Sequence, residues 1–313
     1  MAECNPNRSP CLNPFGLRPP AIEDTVTLHL DLYRPRAWAG VDQGGQHPAI
    51  VLAHPGGFSR GAKNSTIIAA EAAFFAQHGF IAVAIDYRLE AASFLPEDGS
   101  VRDAIADTKA AVRWLRRNKQ LYGVDSERIA LWGASAGGII AGHSPVQKCS
   151  EVLLLQVCSC LVRLLYYSSA MSCNSHRCKS DGIGTIGFAH IRGELSSSND
   201  AYSSRVAAAV AVSGCLWPSI LGEGDASRIT EKDAVPYLDI HGDADVQVGT
   251  WDSLFTYKYL ESLGVPSENN RLVIVPGGGH VPWGDVEKER LRPVVMDFLI
   301  RQLHLDDAEC NGV

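Results

Sequence analysis

Gly133-Ala134-Ser135-Ala136-Gly137 sets one serine among small residues, directly after the apolar run Ile129-Ala130-Leu131-Trp132. An apolar run, a tight turn and a small-residue helix start read as strand, turn and helix. The spacing Gly-x-Ser-x-Gly lifts a serine hydroxyl out of a sheet for attack on an acyl carbon. The glycines answer a steric need, because a serine in a strained turn leaves no room for side chains two positions either side. Alone the pattern is weak. With 29 glycines in 313 residues, both flank a given serine by chance about once in a hundred. Its weight rests on what else the chain supplies.

A serine nucleophile needs a base, a group to orient that base, and donors for the developing oxyanion. The base must titrate near neutral pH, so it is a histidine. Of the ten present, His280 is best placed. It follows the apolar stretch Leu272–Val275 through Pro276-Gly277-Gly278-Gly279 and precedes Pro282-Trp283. A glycine loop there brings an imidazole over a sheet edge. The bland reading is a loop histidine that caps the next helix. His241 reads as structural, holding the loop after its own strand.

The orienting acid is expected between serine and histidine. His241-Gly242-Asp243-Ala244-Asp245 offers Asp245, with Asp243 as competitor. For oxyanion donors the candidates are the amides of Gly56, Gly57 and Ala136; Pro55 has no N–H to give. Phe58, Tyr87 and Trp217 are candidates to line a substrate pocket, and each is equally plausible as packing.

The elements that must position these residues alternate along the chain. Thr25–Tyr33 alternates as an early strand; Ala49–His54 and Phe80–Ile85 are continuous apolar runs, as expected of strands covered on both faces. Ile67–His78 and Val101–Lys119 read as helices, the second amphipathic with Ile105, Val112 and Leu115 on one face with Thr108 and Ala111. Further strands are read at Val206–Val212, Ala234–Ile240 and Leu272–Val275, with helices at Gly249–Leu263 and Asp285–Leu303. Strands alternating with helices predict an α/β fold with a doubly wound, mostly parallel sheet. Only about twenty residues, Cys215–Val235, separate two strands where a cap would sit, so the cap is expected to be small or absent. Residues 1–24 are expected to form an irregular arm and 25–313 one domain.

Composition narrows the partners. A net charge of −7 argues against nucleic acid, which wants a basic face. No run of 18 apolar residues exists, so no membrane span is expected. The opening residues Met1–Asn5 have neither a basic flank nor an apolar core, so they do not read as a signal peptide. Nine cysteines include Cys4, Cys11, Cys215 and Cys310 outside one crowded segment, which suits one or two disulfides in an oxidising compartment. Asn64-Ser65-Thr66 and Asn7-Arg8-Ser9 are possible glycosylation acceptors. A secreted protein whose leader has been removed is therefore favoured; buried thiols in a cytosolic protein are the alternative. Oligomeric state is left open.

Residues 143–184 break the rhythm. They hold Cys149, Cys158, Cys160, Cys173 and Cys178 and interrupt the helix after Ser135. Excised, Gly142 would join Thr185 and restore a small-residue helix. The segment reads as translated intron or gene-model error, with a real lid as the alternative. Its Cys/His spacing lacks paired C-x-x-C knuckles, so no metal site is expected.

His54-Pro55-Gly56-Gly57-Phe58, Asp86-Tyr87-Arg88-Leu89, Gly133-Ala134-Ser135-Ala136-Gly137-Gly138, His241-Gly242-x-x-Asp245 and Gly277-Gly278-Gly279-His280 stand in this order. Together they resemble the α/β-hydrolase fold. Within it they are similar to carboxylesterases with a His-Gly-Gly-Gly oxyanion loop, the hormone-sensitive-lipase-like and feruloyl- or acetyl-esterase-like groups. Pro55 stands where that group usually has glycine. The resemblance implies Ser135, Asp245 and His280 as a triad and an ester as substrate, free or polymer-linked. It implies acyl transfer to water with no cofactor. An amidase or peptidase on the same fold, and an inactive binding protein, are the rival readings.

Overall fold

The computed structural model describes residues 27–35, 46–89, 100–143, 202–215 and 235–306. Among the described residues, seven strands form one sheet in the order β1-β3-β2-β4-β5-β6-β7. They are β1 Leu30–Tyr33, β2 His47–Ala53, β3 Ile81–Ile85, β4 Val124–Ala134, β5 Ala208–Val212, β6 Tyr237–Gly242 and β7 Asn270–Val275. The helices are α1 Thr66–Gln77, α2 Ser100–Arg117, α3 Lys119–Tyr122, α4 Ala136–His143, α5 Thr250–Ser262 and α6 Asp285–Gln302. Among the described residues only the edge strand β1 runs antiparallel, against β3, and the other pairings are parallel.

Strand alternation sorts the core into two layers. Ile50, Leu52, Trp132, Val210, Leu238 and Ile240 point to one face and pack with Phe75 of α1 and Phe298 of α6. Their neighbours Val51, Val83, Leu131 and Ala209 point to the other and meet Val112 and Leu115 of α2 and Leu260 of α5. Each fully buried Val, Leu or Ile contributes about 1.5–3 kcal/mol by leaving water, so a sheet covered on both faces is the stable arrangement for these runs. Across the first layer, Arg292 of α6 pairs with the buried Glu71 of α1 at 2.8 Å and lies over the Phe74 ring.

Boundaries shift from the sequence expectation for local reasons. β1 starts at Leu30 rather than Thr25, because Leu30 pairs with Ile85, where β3 ends. The second long helix stops at Arg117, and a short α3 ends on Gly123 in a left-handed conformation. β4 therefore starts at Val124, ahead of the apolar run that marks its core.

Asn64 is exposed in the turn before α1. Cys215, offered by the sequence to a disulfide, is instead a buried thiol. The other cysteines, Asn7, the cap region 216–234 and all of 143–184 except His143 lie outside the described residues. Among the described residues no helix is long and apolar enough to cross a membrane.

Candidate active site

Parallel strands deliver their C-terminal ends to one edge of the sheet, which is where open α/β sheets carry their sites. β4 ends at Ala134, and Ser135 follows with φ +55, a left-handed conformation that L residues avoid. Two hydrogen bonds hold it there. The Ser135 amide donates to the Val212 carbonyl at 2.8 Å, and the Ile139 amide donates to the Ser135 carbonyl at 2.9 Å, starting α4. The flanking glycines are steric requirements. A Cβ on Gly133 would sit 2.0 Å from the Gly137 carbonyl oxygen, and one on Gly137 would sit 2.0 Å from that of Ala53. The second contact presses the start of α4 against the end of β2.

His280 reaches Ser135 from the loop after β7. Its Nε2 lies 2.8 Å from Ser135 Oγ, and its Nδ1 lies 2.8 Å from Asp245 Oδ2. A carboxylate accepts only, so Nδ1 carries the proton and Nε2 accepts from the serine hydroxyl. The loop is pinned at several points. Gly242 packs so closely on it that a Cβ would lie 2.1 Å from the Gly278 carbonyl oxygen. The Ala244 amide donates to that same Gly278 carbonyl at 2.9 Å. Val281, β-branched yet at φ +53, donates its amide to Ser213 Oγ at 2.9 Å.

Asp245 and Asp243 take different roles. The Asp245 side chain is fully buried. Its Oδ1 accepts from the amides of Gln247 and Val248 at 2.8 and 3.0 Å. Burial alone would raise its pKa, but the hydrogen bond from His280, these two amides and the attraction of the His280 ring together hold it below the usual carboxylate value. Asp243 accepts instead from the Gly277 amide at 2.6 Å, bracing the loop that carries His280. His241 is buried and binds the Val248 carbonyl through Nε2 at 2.8 Å, so it does hold its loop.

The glycine loop after β2 has Gly56, Gly57 and Phe58 at φ +136, +59 and +61. The Arg60 amide donates to the Gly56 carbonyl at 3.2 Å, closing the turn. The contact of Gly137 with Ala53 sets this loop beside Ser135 and Ala136. Phe58 and Tyr87 are buried in one cluster with Ala136 and Ile139. The Tyr87 ring stacks on His54 at 4.1 Å, and its hydroxyl donates to the His54 carbonyl at 2.7 Å, so that hydroxyl supports the loop from below. Trp217 lies outside the described residues.

Ser213 and Ser253 escaped the sequence reading. Ser213 holds the Val281 amide; Ser253 lies 2.6 Å from His241 Nδ1. A signal for the second was present. Tyr237, Asp239 and His241 alternate with Leu238 and Ile240, so one face of a buried strand is polar and needs a partner from the helix covering it.

Residues 30–153 match the family model described as BD-FAE. Phenmedipham hydrolase of Pseudarthrobacter oxydans is 35% identical over 156 residues, 48% of this chain and 30% of that protein. Pyrethroid hydrolase Ces2a of Mus musculus is 30% identical over 136 residues, 42% of this chain and 25% of that protein. The matches thus span a third or less of these relatives' own lengths. Among solved structures, Thermogutta terrifontis esterase 2 phosphorylated by paraoxon superposes with a TM-score of 0.57 at 23% identity, covering 89% of this chain and 90% of that one. The chain has the α/β-hydrolase fold, and its residues 30–153 match the BD-FAE family within it.

Proposed function

We propose that the chain is a serine hydrolase that cleaves carboxylic esters, short-chain or aryl esters first, through an acyl-enzyme. The observation that carries this reading is the chain of two 2.8 Å contacts from Ser135 Oγ through His280 to the buried Asp245. Ser135 Oγ attacks the ester carbonyl carbon as its proton passes to His280 Nε2. The tetrahedral oxyanion takes hydrogen bonds from the Gly56, Gly57 and Ala136 amides, each such donor being worth about 3 kcal/mol in the transition state. His280 then protonates the departing alcohol. Water attacks the acyl group, gives its proton to His280, and Ser135 is released. Asp245, kept anionic by its donors, holds the imidazole in the tautomer that makes Nε2 the acceptor and stabilises its cation. The names of the relatives, hydrolases of phenmedipham and pyrethroids, support the class.

Ser135→Ala is expected to abolish p-nitrophenyl acetate hydrolysis while circular dichroism and Tm show an intact fold. Native turnover in that variant overturns the assignment. Matched ester and amide substrates then separate an esterase from an amidase, which the same three side chains also permit.

A further inference from the structure

Asp245 is bound by a second histidine. Its Oδ2, which accepts from His280 Nδ1, also lies 3.2 Å from His241 Nε2, and both of these side chains are fully buried. His241 Nε2 simultaneously faces the Val248 carbonyl at 2.8 Å, and its Nδ1 lies 2.6 Å from Ser253 Oγ. Ser253 Oγ in turn is 3.1 Å from the Gly214 carbonyl. The proposed reaction uses neither His241 nor Ser253.

A donor count fixes the proton. Nε2 of His241 looks at two acceptors, a carbonyl and a carboxylate held anionic, and neither has a proton to give. A lone pair there would face two others in a buried site, so Nε2 carries the hydrogen, directed to the Val248 carbonyl at 2.8 Å with Asp245 Oδ2 beside it at 3.2 Å. In the neutral ring Nδ1 then accepts the single Ser253 hydroxyl hydrogen along the shorter, 2.6 Å contact, in preference to the Gly214 carbonyl at 3.1 Å. The Asp245 carboxylate is thereby gripped from three elements. The Gln247 and Val248 amides of its own loop hold Oδ1, His280 of the β7 loop takes Oδ2, and His241 at the end of β6 stands 3.2 Å from Oδ2 as well.

We propose that His241, seated on Ser253, is a positioning residue of the hydrolysis proposed above, donating to Asp245 so that the carboxylate neither swings nor overcommits its charge to His280. The inference rests on that reading of the site. During turnover His280 becomes a cation, and a carboxylate fixed only by its own loop would follow it. A donor on a sheet strand resists that movement and draws part of the negative charge back. The charged groups that act on His241 are Asp239, two positions back on the same strand face, and Asp245 ahead of it, while α5 presents the neutral Ser253 hydroxyl. Asp239, its pKa pushed up to about 6 by burial, keeps a second carboxyl close to the ring. Neither of its oxygens makes a hydrogen bond of full geometry among the described residues.

The test compares His241→Asn, which removes the Nε2 donor, with His241→Gln, which returns an N–H near that position, both in the full chain. Active sites are counted with a fluorophosphonate, so rates refer to competent molecules only. His241→Asn is expected to lower kcat per titrated site about tenfold to a hundredfold, the size of a lost hydrogen bond to a charged group, with KM within about twofold. The acid limb of its kcat/KM–pH profile moves up by about half a pH unit, because Asp245 keeps more charge on the oxygen facing His280. His241→Gln brings the limb back and recovers most of kcat. A residue that merely supports the fold would lower the number of titrated sites and leave both the rate per site and the limb unmoved, and that result overturns the proposal. Should His241→Asn fail to fold, Ser253→Ala loosens the same imidazole from behind. It is expected to shift rate and limb in the same direction by less, and native values in a folded Ser253→Ala overturn the proposal equally. Failure of the underlying reading shows elsewhere: the native chain is then not labelled, or Ser135→Ala turns over at the native rate.

Discussion

Ser135 holds an unfavourable backbone conformation at the point of the proposed chemistry. At φ +55 a left-handed serine costs about 1–2 kcal/mol, and glycine at such a site avoids that cost while adding about 0.4–1 kcal/mol of unfolded-state entropy to be lost. The first effect is the larger. Ser135→Gly is therefore expected to be more stable than Ser135→Ala by about 0.5–1 kcal/mol in denaturant titrations, with both devoid of esterase activity. Equal stabilities would mean that the turn is unstrained. The same scale separates two aspartates two positions apart, of which the sequence favoured Asp245 and kept Asp243 as competitor. Both follow Gly242 in one loop, and each has the right chemistry. Only the fold shows Asp243 bound to the Gly277 amide and Asp245 to His280.

At the scale of elements, β6 carries two different faces. Leu238 and Ile240 enter the apolar layer under α1 and α6, while Asp239 lies buried on the α5 side. Burial raises the Asp239 pKa to about 6 despite the pull of His241, the Ser253 hydroxyl and the Ile240 and Gly214 amides. The sign follows from linkage. A carboxyl with a raised native pKa binds more protons folded than unfolded between about pH 4 and pH 6, so it costs stability increasingly as pH rises through that window and a constant amount above it. Asp239→Asn, which cannot ionise, is expected to match the native chain near pH 4. It should gain about 2–4 °C in Tm relative to it by pH 7. A Tm difference that does not grow between those two pH values would sink this account. Glycines do comparable work between elements. Gly137 against Ala53 and Gly242 against Gly278 let two pairs of segments close up, the start of α4 on the end of β2 and the end of β6 on the loop after β7, and any side chain would drive them apart.

For the whole molecule, the sheet is held between two helix layers, and one buried ion pair ties the first of them together. Glu71 is almost entirely buried and depends on Arg292 for its counter-charge. Arg292→Leu leaves that carboxylate without its cation and is expected to lower the unfolding free energy by about 3 kcal/mol, with kcat per active site unchanged. A denaturant titration with native stability would show that Glu71 finds another partner or a proton. The pair joins residues inside α1 and α6, two elements that contribute none of Ser135, His280 and Asp245.

The sequence by itself determined the sheet and the candidates for chemistry. Continuous apolar runs such as Ile50–Ala53 and Ala208–Val212 are stable only when covered on both faces, and a serine between glycines at a strand's end has one plausible backbone. These are local and periodic signals, legible without knowing what touches what. Tertiary structure alone decided the contacts between segments far apart in the chain. It gave Asp243 the Gly277 amide, turned the Tyr87 hydroxyl to the His54 carbonyl, gave the Val281 amide to Ser213, and put His241 beside Asp245 and against Ser253. Periodicity says which face of a strand is buried. It carries no information on which side chain of another element shares that space, because a hydrogen bond across 35 or 145 residues depends on where every intervening strand lies in the sheet.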